Sequence, residues 1–504
     1  MYGLPHHASS NARTRVDLVH APETNDFSAR LGRIGAELDR FADGRYGDAL
    51  ERREEWTDAL TRALPDEGIG ADGVVDELER VVIPNGMRLA DPGFWGWITV
   101  APTTVPIAAS AAAALASPQR YTLTAFNLLE ELSLDWLAEL CRLPSEMKGV
   151  YSSGGSVANL VALGAARQWA LERAGIDPAA DGLDGREIAV YTSTEAHHTV
   201  QRSAAVLGIG RANVRLIATD DHQRMDVDAL RETMRKDVAD DVLPIAVVAA
   251  AGTTNTGAID PLRAVGEIAR ERGAWFHVDG AYGLPGILDE RIEQLFDGLE
   301  LADSAIVDPH KWLRAPVGIA ATFVRDRSVL HRAFTQEESP YLEGSFGDAA
   351  EARSSLDGMG IPYADFGVEL SAPARGVVVW SILREVGREG VRAQIRRDND
   401  FARHLAQRAC ESDSLEVLAE PTLSICCFRY TAREVDDLDA LNARLFRRLV
   451  QETPFLPSAT VVDGKFAIRP CFINARTRVD DVDGLADAVM RIGDELRATA
   501  PAPA

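Results

Sequence analysis

Lys311 lies in Val307-Asp308-Pro309-His310-Lys311-Trp312-Leu313, directly after the apolar Ala305 and Ile306. An apolar setting disfavours an ammonium and leaves a free amine able to attack a carbonyl carbon. Lys311 is therefore a Schiff-base candidate; the plainer reading is a strand-end lysine with its head in water. Three other stretches carry groups that such an amine would need. Ser152-Ser153-Gly154-Gly155-Ser156 precedes a long helical pattern, and glycines, hydroxyls and the free amides of a helix start suit a phosphate. An ordinary N-capped helix looks much the same. Trp275-Phe276-His277-Val278-Asp279-Gly280-Ala281 is an apolar run ending in an acid. Asp279 there can hold a cationic ring nitrogen or simply cap the next turn, and Ala281 is small enough to lie against a flat ring.

Thr194-Glu195-Ala196-His197-His198 follows another apolar run and offers an imidazole for stacking on a planar cofactor. Adjacent histidines diverge on a helix or a strand, which argues against a shared metal, and no metal site is expected. Gly252-Thr253-Thr254-Asn255 supplies small hydroxyl donors at a further run's end, where a plain polar turn would look alike.

His-Val-Asp-x-Ala-Tyr upstream of Pro-His-Lys-Trp, with the Gly-Gly-Ser and Ala-His elements in the same order, resembles the pyridoxal phosphate-dependent group II amino acid decarboxylases over about residues 85–480. The likeness is to the aromatic L-amino acid decarboxylase type. It implies a fold-type I, aminotransferase-like enzyme that uses pyridoxal 5'-phosphate to release CO2 from an amino acid. On that resemblance Lys311 is the Schiff-base lysine, Asp279 the pyridine-nitrogen partner and His197 the stacking histidine. Thr254 lies near the ring, and Gly154, Gly155 and Ser156 seat the phosphate. Asp308 departs from the asparagine of animal members and would repel a phosphate, so Ser304 and His310 are expected to close that end. Animal aromatic decarboxylases protonate the substrate carbon with a loop tyrosine. Tyr363, twelve residues before Arg375, matches it, with Tyr341 as competitor. Arg469 is the candidate holder of the substrate carboxylate. Trp97 aligns with an aromatic pocket position, although Ile98, Thr99 and Val100 replace the family's phenylalanine, proline and threonine.

The expected product is an amine from an aromatic or other apolar amino acid. Oxidative aldehyde formation, lyase chemistry, aminotransfer and an acidic or aliphatic substrate stay open, as does a cofactor-free scaffold protein. The family forms dimers with shared active sites, so a homodimer is expected.

The elements that must position these residues follow from periodicity. Ile188–Tyr191, Val214–Ile217, Ile245–Ala249, Trp275–Val278, Ser304–Val307 and Ile319–Phe323 are continuous apolar runs, the mark of strands buried on both faces. They alternate with helical stretches such as Ser156–Ala174, which predicts an α/β layer with a mainly parallel sheet and ligands beyond its carboxyl ends. Residues 1–90 read as an arm and a helical dimerisation segment, with Leu31, Ile34, Leu38 and Phe41 at helical spacing. Residues 91–384 read as the large cofactor domain, with a mobile loop at about 331–374, and 385–504 as a small α+β domain. Phe94, Trp95 and Trp97 are core or pocket wall, and the Ala-rich Val100–Ala116 reads as a buried helix and not a membrane span.

Acidic residues number 77 against 53 basic, a net charge of −24, which argues against a nucleic-acid or anionic-membrane surface. The 5 cysteines show no C-x-x-C spacing. With a polar start, the chain is expected in the cytoplasm.

Overall fold

The continuous apolar runs become neighbouring strands of one sheet. The computed structural model describes residues 26–44, 49–117, 124–335, 361 and 363–498. After a two-residue strand, β1 (Phe94–Trp95), come β2 (Lys148–Ser152), β3 (Ile188–Ser193), β4 (Val214–Ile217), β5 (Leu243–Ala250), β6 (Trp275–Asp279), β7 (Ser304–Val307) and β8 (Ala320–Val324). These seven lie in the order β2-β8-β7-β6-β5-β3-β4. β4, β3, β5, β6 and β7 pair in parallel, and β8 runs antiparallel between β7 and β2. β3, β7 and β8 are buried along their whole length, which is why their sequences do not alternate. The fold is the expected α/β class of the fold-type I enzymes, with a mainly parallel central sheet.

β2 was not among the expected strands, and its packing explains why. A Cβ on Gly149 would stand 2.7 Å from both Leu134 and Phe323, so the helix Ala125–Leu140 and β8 press on a position that must be glycine. That glycine, following Lys148, erases the apolar run that marks the other strands.

The second sheet joins β1 to β9 (Leu415–Ala419), β10 (Cys427–Tyr430), β11 (Leu456–Val462) and β12 (Lys465–Arg469) in the order β1-β11-β12-β10-β9. Part of the expected aromatic turn is thus a strand parallel to β11. Trp95 is fully buried, stacked on Phe455 at 5.5 Å and donating its N–H to Thr477 at 2.9 Å. Trp97, by contrast, is 61% exposed at a φ of 52°. Helices Leu438–Glu452 and Val479–Ala498 supply Leu445, Leu449, Val489 and Ile492 to the same core as Phe428 and Tyr430.

The expected helix pair after Arg375 is Gly376–Cys410, broken at Gly387, where φ is 65° and ψ 175°. The Ala-rich helix Thr104–Ala116 corrects the expectation of a buried one. Only Pro106 and Ala113 are buried, while Leu115 is 71% exposed. No described helix is long and apolar enough to cross a membrane.

By its contacts the chain divides into two units, Met1–Arg88 and Leu89–Ala504. The first contains helices Phe27–Ala42, Arg53–Leu60 and Gly70–Glu77, and Arg33 ties the first of them to the third by pairing with Asp76 and with Glu79 just beyond it.

Asp398, on the helix after the Gly387 break, is fully buried, and its Oδ2 accepts from Trp312 Nε1 and Arg314 Nη2, each at 3.0 Å. Burial pulls Arg314 down to about 10 and pushes Asp398 up, so desolvation outweighs their attraction. Arg397 also donates to Asp398 Oδ1, its Nε at 3.0 Å; such a buried ionic cluster fixes geometry more than it stabilises, yet losing the acid strands Arg314. Asp398→Ala is expected to lower unfolding free energy by about 3–5 kcal/mol, read from denaturant midpoints. A loss under about 1 kcal/mol would show that Arg314 finds another partner.

Candidate active site

All the parallel strands point their carboxyl ends to one side, and the chemistry-bearing residues collect there. β2 ends at Ser152, and the chain turns through Gly154 at a φ of 131° into the helix Gly155–Arg173. A Cβ on Gly155 would come within 2.6 Å of Asp308 Oδ2, so glycine is required where this helix start meets the end of β7. The Gly155 and Ser156 amides precede the first helical hydrogen bonds, which Val157 and Ala158 make to Gly154 O, and face an anion favourably. The hydroxyls of Ser152 and Ser193, at the ends of β2 and β3, are buried without a hydrogen-bond partner among the described residues.

Beyond β7 the Lys311 turn is held by backbone and side chains together. Asp308 N–H donates to Ala281 O at 3.0 Å, and Lys311 N–H to Asp308 O at 2.9 Å. Arg314 takes a φ of 59°, and Trp312 lies fully buried against the Tyr282 ring at 5.1 Å. Lys311 Nζ stands 3.0 Å from Asp308 Oδ2. Both Asp308 oxygens are buried without a hydrogen bond, so the amine of Lys311 is the carboxylate's counter-charge. His310 donates Nδ1–H to Ile319 O at 2.6 Å, which turns Nε2 toward Asp308, 3.7 Å away.

Asp279 ends β6, with Oδ1 accepting from Ala281 N–H at 3.2 Å and Oδ2 from Asn159 Nδ2 at 3.0 Å. Asn159 also reaches Thr199 Oγ1 at 3.1 Å and His277 Nε2 at 3.0 Å. His277 Nδ1 meets Ser304 Oγ at 2.8 Å, and Ser304 takes the Trp275 Nε1 proton at 2.7 Å. Burial holds His277 at about 4, well below the ordinary imidazole range. His197 Nδ1 is 2.8 Å from Thr199 Oγ1, and its ring lies 4.2 Å from that of His198. Burial lowers His197 too, with Asp279, Lys311, His198 and Asp308 all acting on it electrostatically. Ala281 belongs to a small-residue patch with Ala158, Ala162, Ile306 and Ala320.

Lys311, Asp279, His197, Ala281, His310, Gly154 and Gly155 are thus assembled; Ser156 is exposed on the first helical turn. Three expected site residues have other partners in this structure. Ser304 does not close a phosphate seat: it starts β7, fully buried, and its oxygen is taken by Trp275 and His277. Arg469 does not offer a free fork to a substrate. Its Nε donates to Asn255 O at 2.9 Å, Nη1 to Trp97 O at 2.8 Å and Nη2 to Thr254 O, bracing the wall that carries Thr254 and Trp97. Tyr363 is not brought to Lys311 within this chain. It is fully buried in the turn Tyr363–Phe366 and donates to Glu131 Oε2 at 2.5 Å. Glu131 also pairs with Arg327, which bonds Gly149 O at the amino end of β2, the end opposite Lys311. Burial first and the Glu131 charge second push this phenol well above its ordinary range. Tyr341 and Tyr121 lie outside the described residues.

Sequence reading passed over Asn159 and Thr199. The one available signal was spacing: Asn159 follows Gly155 by four residues and so shares its helix face.

These groups fit pyridoxal 5'-phosphate. A primary amine, a ring-nitrogen acid held by an amide, the small side chain of Ala281 and a helix start near unpaired hydroxyls lie at adjacent strand ends.

Comparison with known proteins agrees. The family model described as the pyridoxal-dependent decarboxylase conserved domain matches residues 59–431. An aromatic-L-amino-acid decarboxylase of Bacillus atrophaeus is 28% identical over 88% of this chain and 89% of its own length. An L-2,4-diaminobutyrate decarboxylase of Rhizobium meliloti (strain 1021) is 30% identical over 86% and 84%. The crystal structure of an Oryza sativa TDC with PLP and tryptamine gives a TM-score of 0.86 at 25% identity, covering 95% of this chain and 99% of that one.

Asp308 faces the anion seat, with the Lys311 amine as its nearest cationic group. Asp308→Asn removes both a repulsion on an incoming phosphate and the ion pair that engages the Lys311 amine. Cofactor affinity, measured by equilibrium dialysis, is expected to rise about tenfold. Unchanged or weaker binding would refute this account of Asp308.

Proposed function

The chain belongs to the pyridoxal-dependent decarboxylases, and from that premise we propose that it converts an aromatic or otherwise apolar L-amino acid to its amine and CO2. The observation that carries this reading is the meeting of Lys311, Asp279 and His197 at neighbouring strand ends. When bound, pyridoxal 5'-phosphate supplies the electron sink for the pair left behind by the departing carboxylate. Lys311 provides the amine that holds the cofactor and yields it to the substrate. Asp279, fixed by Asn159 and the Ala281 amide, holds a proton on the ring nitrogen by its negative charge. The amides of Gly155 and Ser156, with His310 Nε2, hold the phosphate. His197 would stack on the ring and orient the carboxylate to be lost. Thr254 and Trp97, braced by Arg469, form the wall facing the side chain.

Trp97 and the absence of any basic residue from Gly96 to Ala116 favour an apolar side chain over an acidic one. The two relatives named above differ in substrate, so the family alone does not choose.

Screening the twenty amino acids, with CO2 and amine counted together, tests this reading. One amine per CO2, without oxygen or a keto acid, is expected for an aromatic or aliphatic substrate. Aldehyde with oxygen uptake would move the chain to the oxidative branch. Lys311→Ala should lower turnover by about 10^3-fold or more, and retained steady-state activity would sink the assignment. For Tyr363→Phe, the Glu131 hydrogen bond predicts an unchanged product ratio and stability lower by about 1 kcal/mol. A fall in amine per CO2 would instead show that Tyr363 leaves Glu131 during turnover and acts as the proton donor.

The proposed assembly is a homodimer with shared sites. Its support is the apolar surface of Val105, Ile107 and Leu115 on one helix, with Trp97, Leu128 and Val317 also exposed. Sedimentation of wild type should give twice the chain mass. Leu115→Glu should weaken the association about tenfold or more, and a monomeric wild type would overturn the assembly.

A further inference from the structure

His277 is a fully buried histidine that the proposed chemistry does not use, and it belongs to a chain of hydrogen bonds linking five side chains to the site. The direction of every bond in that chain is forced. Trp275 Nε1 can only donate, so Ser304 Oγ accepts there and is left with one proton to give. Asn159 turns its nitrogen toward two oxygens, Asp279 Oδ2 and Thr199 Oγ1, and its oxygen toward His277 Nε2. His277 Nε2 therefore carries a proton. Its Nδ1 is bare, because burial keeps the ring neutral down to about pH 4, and it accepts from Ser304. Thr199 N–H aims at His197 Nδ1 from 3.4 Å, which makes that nitrogen an acceptor, so the Thr199 hydroxyl, 2.8 Å away, gives it its proton while accepting from Asn159. Two donors at Nδ1 leave the ring proton of a neutral His197 on Nε2.

We propose that Asn159 is a positioning residue that serves both sides of the reaction. One amide proton fixes the Asp279 carboxylate, and the other, relayed by Thr199, sets His197 as the Nε2–H tautomer presented to the site. The proposal deepens the decarboxylase reading above and rests on it. Its chemical sense lies in the charge that His197 does not carry. A neutral N–H can orient the α-carboxylate, whereas an imidazolium would bind that anion tightly in the ground state and raise the barrier to losing it as CO2. The groups that set the charge of His197 are Asp279 from β6, Asp308 and Lys311 from the turn after β7, and its neighbour His198; burial outweighs them in the direction of neutrality. Asn159, Thr199, His277 and Ser304 are each buried to 2% exposure or less, so water does not replace a missing link.

The test uses Thr199→Val, which keeps the shape and removes the relay, and Thr199→Ser, which keeps the hydroxyl. Nitrogen-15 spectra of histidine-labelled full-length protein, with the His197 signal assigned by loss in His197→Asn, report the tautomer with or without cofactor. Wild type and Thr199→Ser are expected to show Nε2–H at His197, and Thr199→Val a mixture of tautomers. In the loaded enzyme, Thr199→Val should lower kcat about tenfold with cofactor affinity changed less than about twofold, and Thr199→Ser should restore kcat. An Nδ1–H tautomer in wild type, or an unchanged tautomer in Thr199→Val, overturns the proposal. If no amino acid releases CO2 while the tautomers come out as expected, the decarboxylase reading fails and the relay stands.

Discussion

The site depends on a turn that the sheet itself cannot hold. β7 stops at Val307, and Lys311 must be presented four residues later, where ladder hydrogen bonds have ended. Asp398, reaching in from the long helix, replaces them by taking protons from Trp312 and Arg314 on the far side of the lysine. Arg314 then sits in a left-handed conformation that an isolated chain would avoid. The cost of burying that charge pair is the cost of aiming one amine. The preceding helical segment, before the Gly387 break, opens at Gly376, pressed against the Glu130 backbone of the helix Ala125–Leu140.

The second constraint is polar satisfaction inside a layer that is otherwise aliphatic. Trp275, His277 and Asp279 alternate along β6 and point three polar groups to the same face. Each needs a partner, and the helix Gly155–Arg173 and the start of β7 provide Asn159 and Ser304 at the required heights. Register sets those heights: His277 faces Ser304 and Asp279 faces Ile306. A one-residue slip would leave at least two buried polar groups unpaired, each costing on the order of 1–3 kcal/mol. The network thereby specifies the strand pairing that presents the site.

Much of this was legible in the sequence because burial on both faces writes itself as unbroken apolar runs. All six strands expected from such runs are present within two residues of their expected ends. What escaped has identifiable causes. β2 hides behind Lys148 and Gly149, and β11, between β1 and β12 in the smaller sheet, mixes buried and exposed positions so that no continuous run marks it. Ser304 was misjudged because proximity in sequence to the lysine turn says nothing about which end of a strand a residue occupies. Tyr363 was located by its interval from Arg375, and an interval carries no information about the turn that folds the phenol onto Glu131. Arg469 has the residue type for gripping a carboxylate, but three backbone carbonyls satisfy its fork first. The Ala-rich helix was read as buried because composition reports only that a face needs covering. It does not report whether the cover comes from the same chain.

Asp279 and Asp308 occupy equivalent places, just at or beyond the ends of adjacent parallel strands, and their surroundings divide the work between them. Asp279 has an amide donor on each oxygen, so its charge is matched by fixed dipoles and does not depend on a mobile partner. Asp308 has no hydrogen bond among the described residues, and its nearest cationic group is the Lys311 amine. A carboxylate held by dipoles keeps its charge through a reaction cycle, which suits a permanent partner for a ring nitrogen. A carboxylate held by one flexible amine loses its counter-charge whenever that amine becomes neutral or reacts. Its charge then bears on the neighbouring helix start, where an anion would sit. Residue type is identical at the two positions; the difference in role comes from the donors that the neighbouring helix and turn bring to one and withhold from the other.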